Sequence, residues 1–298
     1  MAVPEFPDLT VYVDALNERI AGRCLHRIHL GSPFVLRTVE PKARELEGRM
    51  VVGCSRLAKQ LVFELEDEYF FVLHLMIAGR LQWSESFKAP SQRNALAAFE
   101  FDQGTVTLLE ASKKKRASLR LVRGRENLRA LDPGGLEALD TNFEDFAARL
   151  RRANHTLKRI LTDQRIFAGI GNAYSDEILL RAKLSPFKQS TKLSDDEVER
   201  LHLAIREVLN EWVAILRDKA KGKFPTKVTA FHDEMVAHGK YKQPCSVCSA
   251  PIQRIVYAEN EANYCARCQT EGRMLADRSL SKLLKDSWPK TLEDLENL

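Results

Sequence analysis

The sequence predicts an α+β protein: an all-β body with one leading helix, then a helical region, then a short hairpin held by metal. Three observations carry this expectation. Apolar runs of strand length fill the first half, apolar residues recur at helical spacing through most of the second, and four cysteines form two C-x2-C pairs near the C-terminus.

The leading helix is expected over Asp8 to Ile20, where Val11, Ala15, Leu16 and Ile20 fall on one helical face. The strand-length runs that follow are Val51-Val52, Leu61 to Leu65, Tyr69 to Leu73, Leu96 to Phe101, Val106 to Leu109 and Leu119 to Val122. They are broken by Gly, Pro and charged residues, a spacing that fits a sandwich or a barrel. Asp132-Pro133-Gly134-Gly135 is a breaker cluster and marks the boundary of the first domain, taken as 1–131. Beyond it, Phe143 to Leu150, Thr156 to Thr162, Ala173 to Ala182 and Ser194 to Leu216 read as helices of a second domain, 132–240. The last opens on Ser194-Asp195-Asp196-Glu197, an N-cap signature. Gly169-Ile170-Gly171-Asn172 places a tight turn directly before a helix start, where backbone N–H groups face outward and bind anions, with the Asn172 amide able to add a hydrogen bond.

Cys245, Cys248, Cys265 and Cys268 leave sixteen residues between the two pairs, the spacing at which four thiolates converge on one tetrahedral zinc ion. A hairpin domain over 241–270 is expected to carry one structural zinc. The polar segment 271–298, with a short helix expected around Ser279 to Leu284, has no assigned role. Cys24 and Cys54 lack a C-x2-C partner and read as buried thiols.

Length and composition permit two domains with their own cores: 298 residues, 44% hydrophobic and 29% charged. No apolar stretch approaches the ~20 residues that span a bilayer, which excludes a helical membrane protein. Net charge is only +5 (46 basic less 41 acidic) but is unevenly placed. Lys113, Lys114, Lys115, Arg116, Arg120, Arg123, Arg125 and Arg129 share a segment with Glu126 alone, and Lys219, Lys221, Lys223 and Lys227 crowd another. Such clusters are the footprint of a phosphate-backbone binder.

Taken in order, Pro4-Glu5-Phe6-Pro7-Asp8-Leu9, Lys59 in Arg56-Leu57-Ala58-Lys59, His74-Leu75 with Gly79, Asp163-Gln164, Ala168 to Glu177, and the cysteine hairpin ending in Gln269 resemble the Fpg/Nei family, the formamidopyrimidine-DNA glycosylases and endonuclease VIII type enzymes. The resemblance covers nearly the whole chain except the tail. It implies an N-terminal β-sandwich, a helix-two-turn-helix domain and a zinc finger, with a monomer acting on double-stranded DNA that contains oxidised bases or abasic sites, in the bacterial cytoplasm at the nucleoid. It implies a base-excision-repair glycosylase with abasic-site lyase activity that works through a Schiff base on an N-terminal proline, here Pro4. Glu5 is then the general acid/base, and Lys59 holds a phosphate or assists proton transfer. Asn172 binds a phosphate beside the lesion, with Lys158 a second candidate on the neighbouring helix.

Three departures from the pattern qualify these roles. Met1-Ala2-Val3 precede Pro4, which makes its nitrogen an amide, so the expected start of the working chain is Val3, read as an initiator methionine and then removed. The finger position where the family has a phosphate-gripping arginine is Asn260, with Arg254 expected to compensate from the opposite strand. Met76 or Ile77 follows His74-Leu75, either as a wedge that fills the space left by a flipped base or as strand core. The later wedge segment, Ser112 to Ser118, has no aromatic. The competing reading is a binder of damaged DNA that has the same fold and no catalysis.

Overall fold

The computed structural model describes residues 3–87, 94–226, 229–257, 260–277 and 289–296. The helix expected around Ser279 to Leu284, together with Lys227 and Trp288, lies outside the described residues. Two compact units are formed, residues 1–133 with 211–230, and residues 134–210 with 231–298.

In the first unit, helix α1 (Phe6–Ile20) begins two residues ahead of expectation because Pro7 suits a first helical turn and Asp8 caps it. Eight strands follow: β1 (Cys24–Leu30), β2 (Arg49–Leu57), β3 (Gln60–Leu65), β4 (Tyr69–His74), β5 (Gly79–Ser84), β6 (Ala95–Phe101), β7 (Gly104–Glu110) and β8 (Ser118–Arg123). They form one sheet in the order β5-β7-β6-β1-β2-β3-β4-β8. Between β1 and β2 only Cys24↔Met50 and Leu25↔Arg49 pair, so the sheet folds over at that junction into two facing layers. Phe71 of β4 stacks on Phe99 of β6 at 4.6 Å between ring centroids, and Phe63 of β3 on Phe71 at 4.2 Å, which places the core between the layers and makes the sheet a sandwich. Leu9, Tyr12, Leu16 and Ile20 of α1 enter the same core. On the outer face, Val62, Phe70, Val72 and Val122 are covered by Leu128 of the short helix α3 (Arg125–Arg129), which follows α2 (Ala43–Leu46) in chain order.

The second unit is helical up to the cysteines: α4 (Phe143–Arg151), α5 (Leu157–Thr162), α6 (Asn172–Arg181) and α7 (Asp195–Ala220). Asn142 accepts the Asp145 N–H at 2.8 Å to cap α4, and Ser194 accepts the Glu197 N–H at 3.3 Å to start α7. Residues 211–220 of α7 group with the sheet unit, where Arg217 Nε lies 2.8 Å from Asp14 Oδ2. After a loop, β9 (Ile252–Tyr257) and β10 (Asn260–Cys265) form the hairpin and α8 (Ala266–Thr270) closes it. The segment left without a role by the sequence packs here: Leu292 of α9 (Leu292–Glu296) joins Ile252, Ile255 and Tyr264 in one apolar cluster.

Candidate functional site

Within the sheet unit, Pro4 and Glu5 lie at the mouth of α1 and are both buried, Glu5 to 1% exposure. Glu5 is the N-cap residue, and its backbone N–H is donated to Asp8 Oδ2 at 2.9 Å, so the carboxylate of the first turn fixes the chain at the residue that follows the proline. The Arg56 guanidinium stacks 4.4 Å over the ring of Phe6, and the same side chain donates from Nη1 to Ala58 O at 2.7 Å. One side chain thus ties the start of α1 to the two-residue turn Ala58-Lys59 that joins β2 to β3. Ala58 holds that turn at φ +50°, a left-handed conformation that glycine adopts more readily.

Lys59, half-buried in this turn, acts electrostatically on His74 at the end of β4. Burial first, then the charges of Lys59 and Arg120, lower the His74 pKa to about 4, so its imidazole is neutral. The neutral ring accepts the Met76 N–H on Nδ1 at 3.1 Å. Met76 has φ +53°, and the turn closes where the Gly79 N–H reaches Leu75 O at 2.8 Å. A Cβ on Gly79 would lie 2.2 Å from Leu75 O, so this approach admits glycine alone. Met76 and Ile77 are therefore not strand core, as one reading of the sequence had it. They sit half-buried in a tight turn between β4 and β5.

The registers place a second element beside this turn. β4 pairs with β8 so that His74 faces Ser118, and β5 pairs with β7 so that Gly79 faces Glu110. The connections 75–78 and 111–117 consequently cross the same edge side by side, one with Met76 and Ile77, the other with Lys113 to Arg116.

In the helical unit, the turn before α6 is built by Gln164. Its Nε2 donates to Ile170 O at 2.7 Å and its Oε1 accepts the Gly169 N–H at 2.9 Å, with Gly169 at φ +82°. Gly171 caps α6 and Asn172 is its first residue, half-buried, at the end of a ten-residue helix whose N–H groups point away from the helix body. Lys158 does not reach outward as a phosphate ligand would. Its ammonium is 2% exposed and donates to Asn172 O and to Asp176 Oδ1, both at 2.5 Å. The reason is Asp176, fully buried on α6, whose charge requires a partner inside the protein. Lys158 is thereby a positioning residue that tethers the first turn of α6.

Asp176 also reaches the hairpin. Its Oδ2 lies 2.8 Å from His238 Nδ1 and accepts from Asn263 Nδ2 of β10 at 3.2 Å. Glu177, next in sequence, accepts the N–H groups of Val236, Ala237 and His238 at 3.1, 2.8 and 2.8 Å, while burial pushes its carboxyl pKa up. Asp176 and Glu177 stand in the motif that the sequence singles out for Asn172, but their buried partners 59 to 87 residues downstream carry no local signal. Nothing in the spacing of His238 marks it as a partner of these carboxylates.

The Cys245, Cys248, Cys265 and Cys268 thiols come together as expected, with all four Sγ atoms within 4.8 Å of one another. Tetrahedral zinc with Zn–S bonds of about 2.3 Å sets its sulfurs about 3.8 Å apart, and Cys245–Cys268 and Cys248–Cys265 stand at 4.0 and 3.4 Å. The Val247 and Cys268 N–H groups point at Cys245 and Cys265 Sγ, at 3.4 and 3.5 Å, as donors that stabilise thiolates. This donor set fits one structural zinc. On the hairpin, Asn260 is exposed and faces Tyr257, whereas Arg254 faces Asn263, three residues or about 10 Å along the strand. Arg254 does not stand across from Asn260. It stacks 4.6 Å over the Tyr241 ring, with Nη1 3.8 Å from Glu261 Oε2.

A proline-led helix beside a lysine turn in a β-sandwich, with a helical unit and a four-thiolate hairpin, defines a class of DNA-repair glycosylase, and comparison with known proteins gives the family. Family models for the formamidopyrimidine-DNA glycosylase N-terminal domain, its H2TH domain and the zinc finger found in FPG and IleRS match residues 3–117, 133–223 and 242–270. A formamidopyrimidine-DNA glycosylase of Roseiflexus sp. is 33% identical over 276 residues, covering 90% of this chain and all of the relative. A formamidopyrimidine-DNA glycosylase-like protein of Mycobacterium tuberculosis is 40% identical over 157 residues, 53% of this chain and 96% of its own. Among solved structures, MutM in complex with carbocyclic 8-oxo-G containing DNA superposes with a TM-score of 0.79 at 26% identity, over 90% of this chain and 100% of that one. The Lactococcus lactis FPG complex with a FAPY-dG containing DNA does so with a TM-score of 0.79 at 27% identity, over 89% and 100%. The chain belongs to the formamidopyrimidine-DNA glycosylase family.

Proposed function

We propose that Pro4, Glu5 and Lys59 carry out base excision and strand cleavage on double-stranded DNA containing oxidised bases or abasic sites. The observation that carries this reading is the Arg56 bridge, 4.4 Å over Phe6 and 2.7 Å from Ala58 O, because it holds the Pro4-Glu5 end of α1 against the Lys59 turn. A secondary α-amine, with a pKa of about 8 against about 10.4 for lysine, is unprotonated in about a tenth of molecules at pH 7, a share about two hundred times that of lysine. The Pro4 nitrogen attacks C1′, the bond from C1′ to the damaged base breaks, and the base leaves with a proton. The C1′–O4′ bond then opens, O4′ takes up the proton lost by the Pro4 nitrogen, and an iminium forms between that nitrogen and C1′. This iminium acidifies C2′–H. Loss of that proton breaks the C3′–O bond and expels the phosphate, with Glu5 moving protons at the sugar and Lys59 beside the phosphate. Asn172 and the α6 N-terminus bind a phosphate flanking the lesion, and Met76 or Ile77 enters the stack that the flipped base vacates. Arg254 and Asn260 contact the backbone from the hairpin, and the protein acts as a monomer at the bacterial nucleoid.

The chemistry requires Pro4 to be a free amine, hence a working chain that begins there. The test is borohydride trapping on an abasic-site duplex, using protein whose first residue has been identified by mass spectrometry. A covalent crosslink that is lost in Pro4→Gly and Glu5→Gln is the expected result. Salt-sensitive DNA binding without a crosslink, from a chain that begins at Pro4, would establish the non-catalytic binder instead.

A further inference from the structure

The connection from β7 to β8 carries four consecutive exposed cations, Lys113, Lys114, Lys115 and Arg116, yet its shape is set by one buried acid. Glu110, the last residue of β7, is 1% exposed. Its Oε2 accepts the N–H groups of Arg116 and Ala117, each at 2.9 Å, and Oε1 accepts the Arg116 N–H at 3.0 Å. Ser112 Oγ lies 2.7 Å from Oε1 and 2.6 Å from Lys114 O, so its single proton is shared between the two ends of the loop. The Lys115 ammonium folds back to donate to the Glu110 carbonyl.

Glu110 therefore turns its charge toward backbone N–H groups inside the protein and leaves the exposed Lys113, Lys114 and Arg116 side chains outside. A carboxylate so placed holds a seven-residue connection in one conformation, although those residues belong to no helix or strand. Four like charges on a free loop would repel one another and spread apart. Here they are kept together before any partner arrives, and the strand registers set them next to the Met76-Ile77 turn.

We propose that Glu110 is a positioning residue that preorganises the Ser112 to Arg116 segment for DNA phosphates. The proposal rests on the DNA-glycosylase reading and adds to it the group that fixes this segment's conformation, since charge held at fixed positions contributes to affinity and placement on the duplex.

The two roles separate by sign. Glu110→Gln removes a negative charge, so if Glu110 acted only through its charge, DNA binding would tighten. If it positions the loop, binding weakens, because even with the amide oxygen in the place of Oε2 the NH2 in the place of Oε1 can accept neither the Ser112 proton nor the Arg116 N–H. The experiment is fluorescence anisotropy on an abasic-analogue duplex and on an undamaged one, each across a salt series. Glu110→Gln is expected to bind both about tenfold more weakly. Lys113→Ala/Lys114→Ala is expected to lower the slope of log K against log salt by about 1.8 for two lost phosphate contacts. Glu110→Gln that binds as tightly as the parent, or more tightly, overturns the positioning role. Should that variant fail to fold, the lysine pair decides, since an unchanged slope overturns the phosphate loop. A parent protein with no salt-dependent DNA binding would instead remove the glycosylase reading itself.

Discussion

His74 Nδ1 accepts the backbone N–H of Met76 at 3.1 Å, a bond that exists only while the imidazole is neutral. Folding lowers the His74 pKa from 6.5 to about 4, chiefly by burial and then through Lys59 and Arg120. Between those values the unfolded chain holds a proton that the folded protein does not. The contribution is therefore complete above about pH 6.5 and is lost as the pH falls through 4, with a total of order 3 kcal/mol. Urea unfolding from pH 7 to pH 4 should show this loss, and His74→Asn, which keeps an acceptor near Nδ1 without titrating, should flatten it. An equally steep profile in the variant would assign the acid sensitivity to other groups.

Ala58 is 3% exposed and stands at φ +50° in the turn that presents Lys59. A left-handed alanine costs roughly 1 kcal/mol more than glycine at the same dihedral angles. Ala58→Gly relieves that strain, less what the more flexible unfolded chain gains. It is expected to raise the melting temperature or leave it level, whereas Ala58→Val should lower it, because a β-branched side chain fits this region worst. A stabilising valine would show that the turn changes conformation to accept it.

Lys158 and Asp176 form an ion pair with side chains 2% and 0% exposed. Removing one partner strands the other charge in the interior, so Lys158→Met and Asp176→Asn should each destabilise the protein by about 3–5 kcal/mol. Combined, they should recover a large part of that loss, since the uncompensated charge is gone. Denaturant titrations of the four proteins give the coupling. The double variant also tests the assignment made above: if it retains the parent salt slope on DNA, Lys158 is a tether, and a slope lower by about 0.9 would return it to the phosphate contacts.

Local pattern explains what the sequence disclosed. The helices over Phe143–Arg151, Leu157–Thr162 and Asp195–Ala220 lie within a few residues of expectation because period, capping residues and breakers are all local signals. The zinc ligands were legible for the same reason, as C-x2-C is a contiguous motif. Glu5 and Lys59 could be named only through resemblance, since the Arg56 contact that brings them together joins residues 50 positions apart. Glu110 and His238 carry no such local signal. Their roles depend on burial and on distant N–H groups, which no spacing in the chain encodes. Met76 and Ile77 were ambiguous between wedge and core because an apolar pair after a strand has the same composition in both cases, and the Gly79 close approach decides against the strand.

The residues after the family's zinc finger form part of its core. Met274 N–H donates to Lys290 O and Leu292 N–H to Gly272 O, both at 2.8 Å, which returns the chain across the hairpin. Leu275 N–H reaches Tyr264 Oη at 2.9 Å, and the Val256 N–H of β9 is donated to Asp277 Oδ2 at 3.2 Å. Leu292, 5% exposed, packs in the cluster that contains Ile252, Ile255, Tyr264 and the ligand Cys265. A hairpin held by zinc alone would be indifferent to this segment, whereas one whose apolar face is shared with it would lose about 2–5 kcal/mol on Leu292→Ala. The ion stabilises only the folded ligand set, so a weaker fold releases zinc more readily. Metal analysis should find one zinc per chain, and a colorimetric chelator should remove it faster from Leu292→Ala than from the parent. Removal from both should abolish salt-sensitive binding by the hairpin residues. Identical release rates would mean that the thiolates alone hold the finger, with the C-terminal segment resting on it without load.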